Sequence, residues 1–168
     1  MQSLYHRTNF PIEQYRDDLI NEQRKFRDLE RDFVAHGKAK PFYQLIKSES
    51  QKFIRENFIV AQEVRLHFQD FYGVACKPRY FRQLRGFGLS IHKDINTQCA
   101  FNYVMEGPSP LIFHPTKNTT HELHYTKALV NLQVEHSVPP ANTDRLLFKL
   151  SIMNEKYEEV LKKVLDKD

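Results

Sequence analysis

Near the middle of the chain, His92 and Asp94 place an imidazole and a carboxylate two residues apart, just ahead of the mostly apolar run CAFNYVM at 99–105. In a strand or its extended end, residues two apart point to the same face. His92 and Asp94 can therefore aim one nitrogen and one oxygen at a common point while Lys93 points away. Both groups are ligands for divalent first-row ions. One further imidazole would complete the facial triad typical of non-haem Fe(II), leaving positions open for chemistry.

Six histidines besides His92 and His136 could supply that imidazole: His6, His36 and His67 in the first part of the chain, and His114, His121 and His124 in a hairpin-like stretch, 108–126. His121 and His124 form His-x-x-His, but the neighbouring PTKNTT argues for a loop or hairpin in which that spacing converges poorly. His136 sits at the end of a strand-like run, LVNLQVEHSVPP, 42 residues after Asp94. A lone histidine at a strand end is more often structural. The residue that changes the weighing is Arg145, which opens the apolar run RLLFKLSI nine residues after His136. An inward arginine in such a strand needs an anion to offset its burial. Lys149 shares the strand face of Arg145 and is a second candidate anchor.

The elements that must position these residues divide the chain in three: 1–72 reads as helices, 74–152 as a strand-rich core, and 153–168 as a C-terminal helix, all within one domain. Pro11 suits a helix start, and Ile12, Tyr15, Leu19, Ile20, Phe26, Leu29 and Phe33 recur at near-helical spacing until His36-Gly37. A second helix is predicted from Pro41 with Phe42, Leu45, Ile46 and Phe53. A third carries Val60, Val64, His67 or Phe68, and Phe71 before a stop at Gly73. From Val74 short β-like runs follow: CKPRYFRQL, LSIHKD, CAFNYVM, PLIFH, HELHYT, ALVNLQVEHSV and RLLFKLSI. No βαβ alternation appears, so antiparallel strands in a sandwich or jelly roll are favoured, an α+β class overall. Asn154 is placed to cap a last helix bearing Tyr157, Val160, Leu161, Val164 and Leu165.

Composition narrows the classes. The 168 residues suffice for one domain with a real core, and 40% hydrophobic with 27% charged residues is ordinary globular usage. No apolar run approaches the ~20 residues that span a bilayer. The opening segment lacks the basic-then-apolar order of a secretion signal, and Cys76 and Cys99 make no disulfide framework, so a reducing cytoplasm is the expected compartment. Net charge is only +4, a poor argument for nucleic acid. Its distribution says more: residues 73–93 hold Lys77, Arg79, Arg82, Arg85 and Lys93 with no acid. Either this basic stretch protects an edge strand against aggregation, or it attracts an anionic ligand.

Taken together, GFGLSIHKDINTQCAFNYVMEG followed by NLQVEHSVPPANTDRLLFKLSI resembles the core of the Fe(II)- and 2-oxoglutarate-dependent oxygenases, of the prolyl-hydroxylase-like type, over residues 76–152. The family pattern is His-x-Asp, a distant His, then an Arg or Lys about ten residues on. The resemblance implies a double-stranded β-helix, the cupin-like jelly roll, with N-terminal supporting helices. It implies Fe(II) held by His92, Asp94 and His136, and 2-oxoglutarate paired through its distal carboxylate with Arg145. A guanidinium fork suits a carboxylate better than a lysine does. Asn102, the strongly polar side chain within CAFNYVM, either faces the co-substrate or bonds backbone. For the tyrosine that often contacts 2-oxoglutarate, Tyr80 and Tyr103 are both open. Leu147 stands where many relatives carry serine. Ser151 occupies the position of the second arginine of the nucleic-acid demethylases, which disfavours nucleobase repair. The implied activity is hydroxylation of a peptide residue or small metabolite, with dioxygen and 2-oxoglutarate consumed and succinate and CO2 released. The hairpin 108–126 would select the substrate. The alternative is a non-catalytic, cupin-like metal- or ligand-binding module.

Overall fold

The computed structural model describes residues 3–32, 41–45 and 51–168. In chain order its elements are β1 (Tyr5–His6), α1 (Arg16–Lys25), β2 (Glu30–Asp32), β3 (Phe42–Leu45), α2 (Gln51–Asn57) and α3 (Ile59–Tyr72). Then follow β4 (Lys77–Gln83), β5 (Leu89–His92), β6 (Cys99–Glu106), β7 (Leu111–Thr116), β8 (Thr119–Leu123), β9 (Lys127–Asn131), β10 (His136–Val138), β11 (Arg145–Ile152) and α4 (Tyr157–Lys167). Every strand pairing is antiparallel. The larger sheet runs β1-β9-β6-β11-β4-β3-β2 and the smaller β5-β10-β7-β8. Helices cover one face of the larger sheet and the smaller sheet covers part of the other, the layering of a double-stranded β-helix.

Strand alternation sorts the side chains between these layers. On β11, Leu146, Phe148, Leu150 and Ile152 face the helices, while Leu147 faces the smaller sheet on the same side as Arg145 and Lys149. β6 divides likewise: Phe101 and Tyr103 join the helix-side core, Ala100 and Val104 the inter-sheet core. Phe10 links the layers on the helix side, meeting Phe68 edge-on at 5.2 Å and Phe101 at 5.7 Å. Each aromatic side chain so buried contributes ~1.5–3 kcal/mol. One polar contact locks this layer. The buried Glu22 carboxylate of α1 accepts the Val60 and Ala61 backbone N–H groups at 2.8 and 2.9 Å, at the start of α3, and the Tyr80 hydroxyl at 2.7 Å. An acid there satisfies donors that have no partner within the helix.

Several expectations change. Residues 1–72 are not helices alone: β1 pairs with β9, and β3 with β4, so the segment extends the larger sheet on both sides. The helix expected from Ile12 begins as a 3-10 turn over Ile12–Tyr15, continues as α1 to Lys25, and gives way to β2 at Glu30. Phe42 and Leu45, assigned to a second helix, lie in β3, because pairing with β4 outweighs their helical spacing; Phe53 is in α2. Phe33, His36, Gly37 and Ile46 fall outside the described residues. α3 stops where expected, Gly73 taking φ +68 and returning its N–H to the Gln69 carbonyl at 2.7 Å. The run ALVNLQVEHSV is two strands, β9 and β10, in different sheets. Asn154 does not cap α4, whose first turn starts after Lys156. Among the described residues no helix is long and apolar enough to cross a membrane.

Candidate active site

His92 ends β5 and His136 begins β10, and the two are directly opposite in the smaller sheet. Their rings lie 4.4 Å apart, centroid to centroid. Asp94 sits two residues past the end of β5, where its backbone N–H reaches the Leu132 carbonyl at 3.3 Å. Gln133 pins the same turn, donating to the Asp94 and Thr97 carbonyls at 3.3 and 2.8 Å. Asp94 Oδ1 lies 3.1 Å from His136 Nε2 and 3.4 Å from His92 Nε2. One ligand atom from each of the three residues falls within 4.8 Å of the others, the one such group of His, Cys, Asp or Glu among the described residues.

The tautomers follow from the partners. His92 Nδ1 lies 2.6 Å from the Ser90 carbonyl and His136 Nδ1 2.7 Å from the Val134 carbonyl. A carbonyl only accepts, so each Nδ1 carries the proton, and each Nε2 of a neutral ring presents a lone pair. Two such nitrogens and one carboxylate oxygen then converge as three acceptors. Imidazolium protons would satisfy them singly; a divalent cation satisfies all three at once, and the N2O donor set fits a non-haem iron site. The second oxygen of Asp94 accepts from Lys149 Nζ at 3.1 Å. Burial alone would raise the Asp94 carboxyl, but the Lys149 ammonium beside it holds it well below the usual carboxylate range.

These residues lie at one side of a cavity of about 480 Å³ between the two sheets, whose lining includes Arg79, Asn102, Tyr125, Arg145 and Lys149. Such a volume is ordinary for a small-molecule site. Arg145 is only 2% exposed; its Nη2 donates to the Tyr125 hydroxyl at 3.2 Å and its Nε has no hydrogen-bond partner. Asn102 Nδ2 donates to the same hydroxyl at 3.2 Å, and its Oδ1 is buried without a partner. Burial pulls the Arg79 guanidinium below its ordinary pKa, with the Asp94 charge acting in the opposite sense. Lys93, expected to point away, borders the cavity from an exposed position at its rim.

The other histidines are placed elsewhere. His67 bonds the Tyr15 hydroxyl within the helix layer, His6 meets Asp168, and His114 lies 2.8 Å from the Ser137 hydroxyl. His121 and His124 are exposed on and just beyond β8, and His36 is outside the described residues. Neither Tyr80 nor Tyr103 reaches the cavity, since both belong to the helix-side core. Tyr125, which sequence reasoning passed over, is the tyrosine that lines the cavity. The signal was alternation: Tyr125 is two residues after the fully buried Leu123 and shares its inter-sheet core.

The sequence matches no protein-family model and no curated protein. Solved structures are similar in three dimensions. A prolyl-4-hydroxylase from Pseudomonas putida superposes with a TM-score of 0.58 at 14% identity, covering 90% of this chain and 93% of that one. A prolyl hydroxylase from Trichoplax adhaerens, in complex with a hypoxia inducible factor peptide fragment, gives 0.60 at 11% identity over 92% and 84% of the two chains. An oxidoreductase of the 2OG-Fe(II) oxygenase family from Burkholderia pseudomallei gives 0.51 at 12% identity, over 93% and 97%. Backbone likeness at such low identity speaks to the fold: the chain has the double-stranded β-helix architecture of the 2OG-Fe(II) oxygenases.

Proposed function

We propose that the chain is an Fe(II)- and 2-oxoglutarate-dependent dioxygenase that hydroxylates a peptide residue or a small metabolite, releasing succinate and CO2. The observation that carries this reading is the convergence of His92, Asp94 and His136 within 4.8 Å beside a cavity that also holds a buried arginine. His92 and His136 would bind the metal through Nε2 and Asp94 through Oδ1. The bound iron would supply the activation of dioxygen. Arg145 would pair with the distal carboxylate of 2-oxoglutarate, and Tyr125 and Asn102 would border the co-substrate. A carboxylate would give the Arg145 guanidinium a charged partner, where among the described residues it bonds the neutral Tyr125 hydroxyl. Leu89, Leu111, Leu132, Val138 and Leu147 would keep the remainder of the cavity dry. Two free cysteines, Cys76 half-buried and Cys99 buried, suit a reducing cytoplasm.

The test is metal and turnover together. Anaerobically prepared protein should take up about one Fe(II) per chain, and His92→Ala and His136→Ala should each weaken binding by orders of magnitude, because two protein ligands hold iron far less well than three. Iron affinity unchanged in both variants would refute the ligand assignment. Iron binding without 2-oxoglutarate-dependent succinate formation, across acid, peptide and amine substrates, would leave a non-catalytic binding module.

A further inference from the structure

We propose that the substrate oxidised at this site presents a carboxylate to Arg79, at an anion position separate from Arg145. The inference rests on the oxygenase reading and adds a substrate class to it.

β4 carries two arginines on opposite faces. Arg82 is held by Glu30, with its Nη2 at 2.7 Å and its Nε at 2.9 and 3.0 Å. Arg79 faces the cavity instead, and its Nε is buried with no hydrogen-bond partner. The acid whose charge acts on Arg79 is Asp94, and both Asp94 oxygens are already engaged, Oδ1 with the two histidines and Oδ2 with Lys149. Lys149 is also the residue directly opposite Arg79 across β4 and β11. Like charges at opposed positions repel, so an anion seated against this pair removes a cost that the ligand-free protein bears. A divalent cation held by His92, Asp94 and His136 would leave the wall more positive still.

Position separates this anion site from the co-substrate's. Arg145 lies four residues from Lys149 along β11, ~13 Å at strand rise. A co-substrate whose distal carboxylate is fixed at Arg145 therefore does not neutralise Arg79. Asn96 and Ile95, both exposed, mark the rim on the Asp94 side, so a ligand arriving from solvent past that rim meets the Arg79 and Lys149 row. A planar guanidinium with its Nε–H free selects a carboxylate over a neutral amide of the same shape.

The experiment is calorimetric titration of Mn(II)-loaded, 2-oxoglutarate-saturated protein under argon with matched acid and amide probes. Acetyl-aspartate N-methylamide against its asparagine analogue reports a peptide source, and lactate against lactamide a free acid. In the wild type at least one acid should bind about 10-fold or more tightly than its amide. Arg79→Gln should bring the pair to near parity while leaving 2-oxoglutarate affinity unchanged, and Arg79→Lys, which keeps charge but loses the fork, should fall between. Acid–amide parity in the wild type, no acid binding up to the solubility limit, or a preference that survives Arg79→Gln overturns the proposal. So does an Arg79→Gln variant, folded by circular dichroism, that loses 2-oxoglutarate binding, because Arg79 would then serve the co-substrate. If Arg79→Gln does not fold, Arg79→Lys decides: an undiminished acid preference in it overturns the proposal. The same titrations on metal-free protein separate the two ideas: failure to bind iron or 2-oxoglutarate removes the oxygenase reading, whereas the acid preference is read independently.

Discussion

Replacing Arg145 by methionine should make the ligand-free protein more stable while abolishing its response to 2-oxoglutarate. Arg145 is 2% exposed, and its hydrogen-bond partner among the described residues is a neutral hydroxyl, that of Tyr125 at 3.2 Å. A buried charge without a counter-charge opposes folding, and exchanging buried ionic groups for apolar ones of similar volume typically stabilises by about 1–4 kcal/mol. Tyr125 is not orphaned by the change, since Asn102 Nδ2 still donates to its hydroxyl. A net gain of about 1–3 kcal/mol is therefore expected, a rise in Tm of ~2–4 °C for each kcal/mol in a chain of this length. Binding should move the other way. Losing one partner of a desolvated charge pair costs about 2–5 kcal/mol, roughly 30-fold to several thousand-fold in Kd. The assay is urea unfolding of Mn(II)-loaded protein with and without 2-oxoglutarate. A ligand at 100 times its Kd adds ~2.7 kcal/mol to the wild type, and the variant should gain almost nothing at the same concentration. A variant destabilised by more than ~1 kcal/mol that still gains stability from 2-oxoglutarate would refute the reasoning, for Arg145 would then be structural. Lys149→Met is the control on the same strand face: a loss of 2-oxoglutarate binding there with Arg145→Met unaffected would move the anchor to Lys149.

Three further outcomes follow from the packing. Burial pushes the thiols of Cys76 and Cys99 up to about 12. At pH 8 iodoacetamide should therefore modify them about three orders of magnitude more slowly than free cysteine, with full modification in denaturant, as read by mass spectrometry. Because the folded thiols hold their protons above the unfolded value, their contribution to stability is intact below pH ~9 and is lost as pH rises from about 9 toward 12. Glu22→Ala should cost ~3 kcal/mol or more, seen as a lower urea midpoint, since it strands the Val60 and Ala61 N–H groups and the Tyr80 hydroxyl; a loss under ~1 kcal/mol would show that water replaces the carboxylate. We propose that 1–168 folds as one domain, so a fragment beginning at Val74, stripped of β1, β3 and the helix-side core, should be insoluble or lack fixed near-ultraviolet dichroism; a soluble fragment that binds iron would refute it.

Strand alternation made much of the core legible. The pattern of RLLFKLSI alone assigns Leu146, Phe148 and Leu150 to one side and Arg145, Leu147 and Lys149 to the other, as found. What misled was apolar sequence in turns. Leu132 and Val134 extend the β9 pattern yet sit in the bend before β10, where burial against the inter-sheet core rather than strand pairing explains them. The local sign of that bend is Asn131, whose Oδ1 accepts the Gln133 N–H at 3.1 Å, an Asx-type turn. β3 was hidden for another reason. Phe42 and Leu45 fit a helical stripe as well as a strand, and only the register of β3 with Phe81, Arg82 and Gln83 of β4 decides between them, a contact that no local window contains. Tyr125 lies within the run HELHYT but two residues past the end of β8, at a corner, where only its inter-sheet packing shows that it faces the cavity.

Lys149 shows how sheet and site are joined. It stands in the centre of the larger sheet, between Arg79 of β4 and Asn102 of β6, and reaches across the cavity to a residue that follows the smaller sheet. By taking Asp94 Oδ2 at 3.1 Å, it leaves Oδ1 turned toward the two histidines. A carboxylate fixed in this way offers a metal one oxygen rather than two, and a metal bound through three protein atoms keeps positions free for small ligands. Arg79, Arg145 and Lys149 share the cavity side of the larger sheet, whereas Arg82 on the other face of β4 is already neutralised by Glu30. In this arrangement Asp94 is set by Lys149, the imidazoles by the Ser90 and Val134 carbonyls, and Arg145 and Arg79 each keep a buried Nε–H without a partner among the described residues, facing the cavity.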